Sequence, residues 1–361
     1  MFYIVFFLIS IALLYRGDKF RKPFNYVYMV LGLAPAILIA GLRDDTIGTD
    51  TSMYPTDVFE FCRDTKSIFL AVVSYIDVEP GYVVLAYLSS TISSSFNFFL
   101  TLTHTLILGT LLIAYKRFGV NIAFAFLCFY LIFFASSLNM ARQFLAMPIC
   151  LWGLAEFTEK KYKRTFIILL LAFLFHKTSF LYVIIIALYF LCRKYTNKMA
   201  EKKSFIYISF VVIIGIVFFS QILELLMNIG IADDRYMERY GSDEMYGSHI
   251  PISSFAINAF NLVMYYKLST NITNSPFIIF SKYVMLIGLL LCFMGLISVF
   301  AVRLNLYFLM TAIVCITYLL QKLNFRKSRF FIIFYLFYWV MVVIVANLSD
   351  TYPYQSKILF F

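Results

Sequence analysis

Long apolar runs separated by short clusters of Lys and Arg dominate the chain, and the runs are continuous instead of alternating. A bilayer-spanning helix needs about 20 apolar residues, whereas a barrel strand alternates with period two. The runs at about 2–15, 24–42, 96–114, 120–138, 141–157, 204–229, 252–268, 277–300, 302–320 and 330–347 therefore predict helices. Between 43 and 95 the pattern changes: a polar stretch reaches about Ser67, then come a weakly apolar piece at 68–75, Asp77-Val78-Glu79-Pro80-Gly81-Tyr82 and a Ser/Thr-spotted run at 88–95. None of these is long enough to span, so interfacial or re-entrant helices are expected there.

The basic clusters fix how the runs are threaded, because cytoplasmic loops carry the excess of Lys and Arg. Arg16, Lys19, Arg21 and Lys22 put the end of the first helix inside, and the 43–54 stretch outside. Basic residues both at 160–164 and at 193–203 mean that the segment 165–192 crosses an even number of times. It reads as two arms of about 12 and 15 residues with His176-Lys177-Thr178 at the outer tip. At about 1.5 Å per residue these arms fall short of the roughly 30 Å hydrocarbon core, so the tip is expected inside a protein-lined cavity. The consistent solution is about twelve transmembrane helices with both termini outside, in one integral membrane domain spanning 1–361, with outer loops at about 43–80 and 230–251.

Composition agrees: 62% hydrophobic residues and only 14% charged leave too little polar surface for a water-soluble globule. The net charge of +11 is accounted for by topology and needs no nucleic acid. Five of the six Cys lie in apolar runs, so no disulfide framework is expected, and the Cys and His show no metal-ligand spacing. The run from Phe2 to Leu14 has neither a basic leader nor a small-residue cleavage site and reads as a retained helix. Glu224 is the one charge read within an apolar run, which argues against a transport path through both leaflets.

Topology gathers Arg43, Arg142, His176, Lys177, Arg235, Arg239 and Arg303 on the outer side. Arg142 and Arg303 fall in short turns between apolar helices, where a cation either snorkels to headgroups or meets an anion. Guanidinium suits bidentate phosphate or carboxylate binding. Arg235 and Arg239 share one helix face with Tyr236 and Tyr240 beside them, and either pair internally with Asp234 and Glu238 or bind a ligand. His176 is a satisfied tip residue or a general base. Asp44, Asp45 and Asp50 could act as base, sugar-hydroxyl acceptor or metal ligand, or simply cap turns around Gly48. Such a cluster of Arg facing Phe-rich helices suits a lipid-linked anion, with undecaprenyl diphosphate the natural candidate.

An ordered set of short motifs runs the length of the chain: Arg43, Ile47-Gly48-Thr49-Asp50 and Tyr54; Glu79-Pro80-Gly81-Tyr82; Ala141-Arg142-Gln143; Phe175-His176-Lys177-Thr178-Ser179; Arg303 with Tyr307-Phe308; and Tyr352-Pro353-Tyr354. The set resembles the EpsG branch of the Wzy-type bacterial polysaccharide polymerases, which include O-antigen polymerases. The resemblance implies a GT-C-like, multi-helix glycosyltransferase of the bacterial inner membrane that works at the periplasmic face without cofactor or metal. It would join undecaprenyl-diphosphate-linked repeat units, donor onto acceptor, releasing undecaprenyl diphosphate, with a chain-length regulator and a flippase as partners. Catalytic roles would fall to His176, Arg142 and Arg303. Diphosphate and sugar contacts would come from Arg43, Asp44, Asp45, Asp50, Tyr54, Glu79, Gln143, Lys177, Arg235, Arg239, Tyr240, Tyr352 and Tyr354. A small residue or Ser often stands near the position of Lys177, so a phosphate contact there rests on its charge alone. An O-antigen ligase is the alternative enzyme and a lipid-linked oligosaccharide transporter the alternative from another class; the small 231–251 loop favours the polymerase.

Overall fold

A computed structural model describes residues 2–21, 23–51, 54–193, 198–228, 250–270, 272, 275–296 and 301–359. The described residues form helices joined by turns, with no strand among them, and fall into two compact units, 1–180 with 323–361, and 181–322. Five helices among them are long and apolar enough to cross a bilayer: Phe24–Gly41, Phe96–Phe118, Pro276–Leu296, Val302–Lys322 and Ser328–Val345. The protein is an all-helical membrane protein, because in hydrocarbon only the helix satisfies every backbone group within one apolar segment.

In the first unit, α1 (Phe2–Lys19) lies on α2 (Phe24–Gly41), and three short helices follow, α3 (Tyr54–Asp64), α4 (Ile68–Ser74) and α5 (Pro80–Ile92). The stretch expected as a polar loop up to Ser67 is thus helical over Tyr54–Asp64. Its signal is present in the sequence: Pro55, Val58, Phe59 and Cys62 recur at helical spacing and are buried, while Asp57, Glu60 and Arg63 face outward. Four helices form the centre of the unit. α6 (Phe96–Phe118) lies between α2 and α9 (Ala141–Thr158), and α9 is flanked on another side by α10 (Tyr162–Phe175). The single helix expected at 120–138 is instead two, α7 (Ile122–Ile132) and α8 (Phe134–Asn139), with the chain turning at Phe133 and again at Met140. Periodicity could not reveal these breaks, because every residue from 122 to 135 is apolar.

In the second unit Pro276–Leu291 is the central helix, touching Asn305–Lys322, Ile252–Ser269, Leu181–Cys192 and Lys198–Val217. Its interior holds polar pairs: Asn258 and Asn305 both donate amide hydrogens to Cys292 Sγ, at 3.6 and 3.3 Å, and the Tyr182 and Thr311 hydroxyls meet at 2.7 Å. Lys282 lies within Pro276–Leu291 at only 9% exposure, its Nζ 5.1 Å from the Tyr266 ring centre. The reading of Glu224 as the one charge inside an apolar run is therefore corrected: Lys282 stands in the sequence itself, within the run at 277–300, and its long stem lets it lie among apolar neighbours.

Candidate functional site

The site grows from the Glu79-Pro80-Gly81-Tyr82 motif. Glu79 is the extended residue before α5, and Pro80 occupies the first helical position, where a missing N–H costs nothing. The Glu79 side chain does not cap its own helix. It reaches the end of α10, because Gly81 lets the two elements touch: a Cβ on Gly81 would stand 2.6 Å from the Leu174 carbonyl oxygen. Only glycine fits that approach.

At the end of α10, His176 takes an extended conformation and Lys177–Phe180 winds into a short 3-10 turn. His176 Nδ1 lies 2.8 Å from Glu79 Oε1, and the backbone N–H of Lys177 donates to the same oxygen at 3.1 Å. The other carboxylate oxygen meets Arg142 Nη1 at 2.6 Å. Arg142 is the second residue of α9, and its guanidinium carbon stands 4.3 Å from the Tyr54 ring centre. Tyr54 in turn makes an edge contact with the buried ring of Tyr82. One carboxylate thus gathers a histidine from 97 residues away and an arginine from 63 residues away.

Charge follows from these contacts. Burial pushes the Glu79 carboxyl upward, but the His176 hydrogen bond and the charges of His176 and Arg142 outweigh it and hold the group at about 2. An ionised carboxylate can only accept, so the shared hydrogen sits on His176 Nδ1, and Nε2 is the nitrogen that takes a proton when the ring is neutral and carries it when the ring bears the charge felt by Glu79. Arg142 Nε has no hydrogen-bond partner among the described residues, and Met140, which precedes α9, supplies no side-chain cap to its first turn. A proton acceptor, a guanidinium with donors to spare and an uncapped helix start therefore stand together.

The remaining sequence candidates divide by location. Arg43 is 1% exposed, its Nη1 bonded to the Ala40 carbonyl and its Nη2 to that of Leu138 at 2.8 Å. Burial pulls its guanidinium down to about 10, still charged at neutral pH. Asp44 accepts the Lys357 N–H at 2.9 Å, Asp45 is exposed, and Asp50 is half-buried with its N–H on Asn139 Oδ1 at 2.6 Å. Tyr354 donates to the Ile39 carbonyl at 3.1 Å and stacks on Phe2, while the Tyr352 N–H donates to Asn347 Oδ1 at 3.0 Å. Gln143 is buried beside Arg142, and the Lys177 side chain is exposed. Arg303 stands in the short 3-10 turn Ala301–Leu304 of the second unit, half-buried. Arg235, Arg239 and Tyr240 lie outside the described residues.

Sequence reasoning named Glu79 among the sugar contacts but missed it as the hub. The signal was a carboxylate directly before a helix-starting Pro80-Gly81 pair. Asn139, which receives the N–H of Asp50 and the hydroxyl of Thr49 at 3.1 Å, was missed as well and carries no motif of its own.

No solved structure matches the chain. The amylovoran biosynthesis protein AmsC of Erwinia amylovora is 25% identical over 198 residues, which cover 53% of this chain and 52% of that protein. The chain thus aligns with about half the length of that curated relative. The family model for the EpsG family matches residues 25–356, a span that includes Glu79, Arg142, His176 and Arg303, and the chain belongs to the EpsG family.

Proposed function

We propose that this EpsG-family chain is a Wzy-type polysaccharide polymerase, a glycosyltransferase that joins undecaprenyl-diphosphate-linked repeat units at the periplasmic face of the inner membrane. The observation that carries the reading is the single Glu79 carboxylate bridging His176 and Arg142. Family membership and the similarity to an amylovoran biosynthesis protein support the polysaccharide class. About twelve crossings on a GT-C-like scaffold, with both termini periplasmic, complete the proposal.

In the proposed step, His176 Nε2 takes the proton of an acceptor sugar hydroxyl, oriented by the Glu79 bond to Nδ1. The hydroxyl oxygen bonds to the donor anomeric carbon as the bond from that carbon to the diphosphate oxygen breaks. Undecaprenyl diphosphate leaves with the electron pair, and Arg142 with the α9 start stabilises the charge it carries away. Tyr54 holds the Arg142 guanidinium over its ring at 4.3 Å, so the cation is positioned before substrate arrives. Arg303 is proposed as a further anion contact on its own unit. Because guanidinium carries the leaving charge, polymerisation in vitro is expected to persist in EDTA.

The test is complementation of a strain lacking the gene. Arg142→Ala and His176→Ala are expected to leave single repeat units in place of long polymer, scored per amount of protein in the membrane. Long polymer from both variants overturns the reading. Full-length polymer remaining on the lipid carrier would instead point to a ligase, and cytoplasmic accumulation of repeat units to a flippase.

A further inference from the structure

Arg43 is the largest fully buried side chain among the described residues, and neither of its hydrogen bonds goes to a carboxylate. Its counter-charge comes from elsewhere. The Ala40 carbonyl belongs to the last turn of α2 and the Leu138 carbonyl to the last turn of α8, so two helix C-termini converge on one guanidinium. Each helix end carries a partial negative charge of about half a unit and unsatisfied carbonyls, which suits a buried cation. The same carbonyl of Leu138 also accepts the Thr51 hydroxyl at 3.2 Å.

The Ile47-Gly48-Thr49-Asp50 motif closes over the same point. Gly48, at φ +91°, turns the chain so that Thr49 Oγ1 and the Asp50 N–H both reach Asn139 Oδ1. A Cβ on Gly48 would press within 3.3 Å of the Asn139 Cα and the Leu138 oxygen, so the loop lies directly on the α8 end. From the other side, Asn97 of α6 donates to the Gly41 and Arg43 carbonyls, both at 2.9 Å. The segment held by these contacts ends at Met140, whose φ of −96° and ψ of 56° break the helix and set the direction of α9. Arg142 follows two residues later.

We propose that Arg43 is a positioning residue: with Gly48, Thr49 and Thr51 it pins the α8 end at Leu138 and Asn139, and thereby aims Arg142 at Glu79 and Tyr54. The proposal rests on the assignment of Arg142 to the diphosphate. It assigns the Arg43 guanidinium to the two helix ends instead of the phosphate, since each terminal nitrogen bonds a carbonyl in a fully buried site; only Nε is without a hydrogen-bond partner among the described residues.

Two measurements on the full chain in nanodiscs test it. The first follows thiol labelling of Met140→Cys, a position of intermediate exposure, against the native cysteines, all of which are buried. Arg43→Met is expected to raise the labelling rate at position 140 several-fold while the native cysteines stay protected, and Arg43→Lys to restore part of the protection. Thr51→Val, which removes one bond to Leu138 and buries no new charge, is expected to move the rate the same way by less, and it keeps the test alive if Arg43→Met does not fold. An unchanged rate in both Arg43→Met and Thr51→Val, or a rise at the native cysteines as well, overturns the pin.

The second measures undecaprenyl diphosphate binding in a cycle of Arg43→Met with Arg142→Lys. Arg43→Met alone is expected to weaken binding about tenfold, as a displaced anion contact would, and to add little in the Arg142→Lys background. Equal losses in both backgrounds mean that Arg43 acts on the ligand without Arg142, and the proposal fails. If Arg142→Lys leaves binding unchanged, the diphosphate assignment fails by itself, while the labelling rate still decides whether Arg43 fixes the α8 end.

Discussion

Two buried carboxylates ringed by cations sit at opposite ends of α9, and they differ in what surrounds them. At the C-terminal end Glu156 is 1% exposed and meets Arg117 Nε at 3.1 Å, Lys161 Nζ at 3.6 Å and Arg164 Nη1 at 3.9 Å, with the Trp152 indole N–H donating to it at 3.1 Å. Its cationic side chains are themselves 36–64% exposed. Near the N-terminal end, Glu79 is also buried, at 6% exposure, but its partners are enclosed too: Arg142 is 14% exposed and His176 19%. Long cations that reach water lose little when their carboxylate is removed. Partners held inside lose their orientation and keep their desolvation cost. The first arrangement ties helix ends together; the second can do chemistry.

The sharpest way to break this distinction is Glu79→Gln, which keeps the shape and removes the charge. Polymer formation is expected to fall at least about a hundredfold, the scale of an oriented general base, measured as surface polysaccharide from a complemented null strain. The purified variant should also lose about 3–5 kcal/mol of stability, as a buried ion pair does when one partner goes. Retention of normal polymer would place Glu79 in the same class as Glu156.

Arg142→Lys comes next. Lysine keeps the charge but not the flat guanidinium over Tyr54 or its several donors. A fall of about tenfold in polymer is expected, with protein level unchanged.

Acid should act on the Glu79 cluster with a smaller effect. The Glu79 carboxyl is held at about 2 against an ordinary 4.5, so its contribution is complete above about 4.5 and is lost as pH falls from there toward 2. Thermal unfolding in detergent across that window should drop more steeply for the wild type than for Glu79→Gln. Equal slopes would mean that the contribution is absent.

Glu156→Gln, which keeps an amide oxygen to accept the Trp152 N–H and loses only ion pairs to exposed cations, is expected to cost about 1 kcal/mol and to leave polymer length unchanged wherever the protein reaches the membrane. Asp45→Ala, at an exposed turn with no hydrogen bond to its side chain among the described residues, should change stability by no more than about 0.5 kcal/mol.

Much of this was legible in the sequence, and the reasons are specific. The apolar runs at 24–42 and 96–114 could only be helices, and helices span Phe24–Gly41 and Phe96–Phe118. The break between arms at His176 was visible because a polar triplet interrupts an apolar segment. The helix Tyr54–Asp64 was readable from its four-position spacing and was overlooked among its charges. The turn at Phe133 was not readable at all, since its neighbours on both sides are equally apolar.

By itself the sequence determined the class of the molecule and the inventory of its polar side chains, because hydropathy and charge act locally, within the length of one helix. It assigned His176 and Arg142 to catalysis and Arg43 and Glu79 to substrate contacts, without saying which of them touch. Tertiary structure placed the Glu79 carboxylate between His176 and Arg142. Gly81, which admits the α10 end, joined a carboxylate to a histidine 97 residues away, and in the proposal above the Arg43 clasp at the α8 end does the same for Arg142. They depend on close approach in three dimensions, which no local pattern encodes.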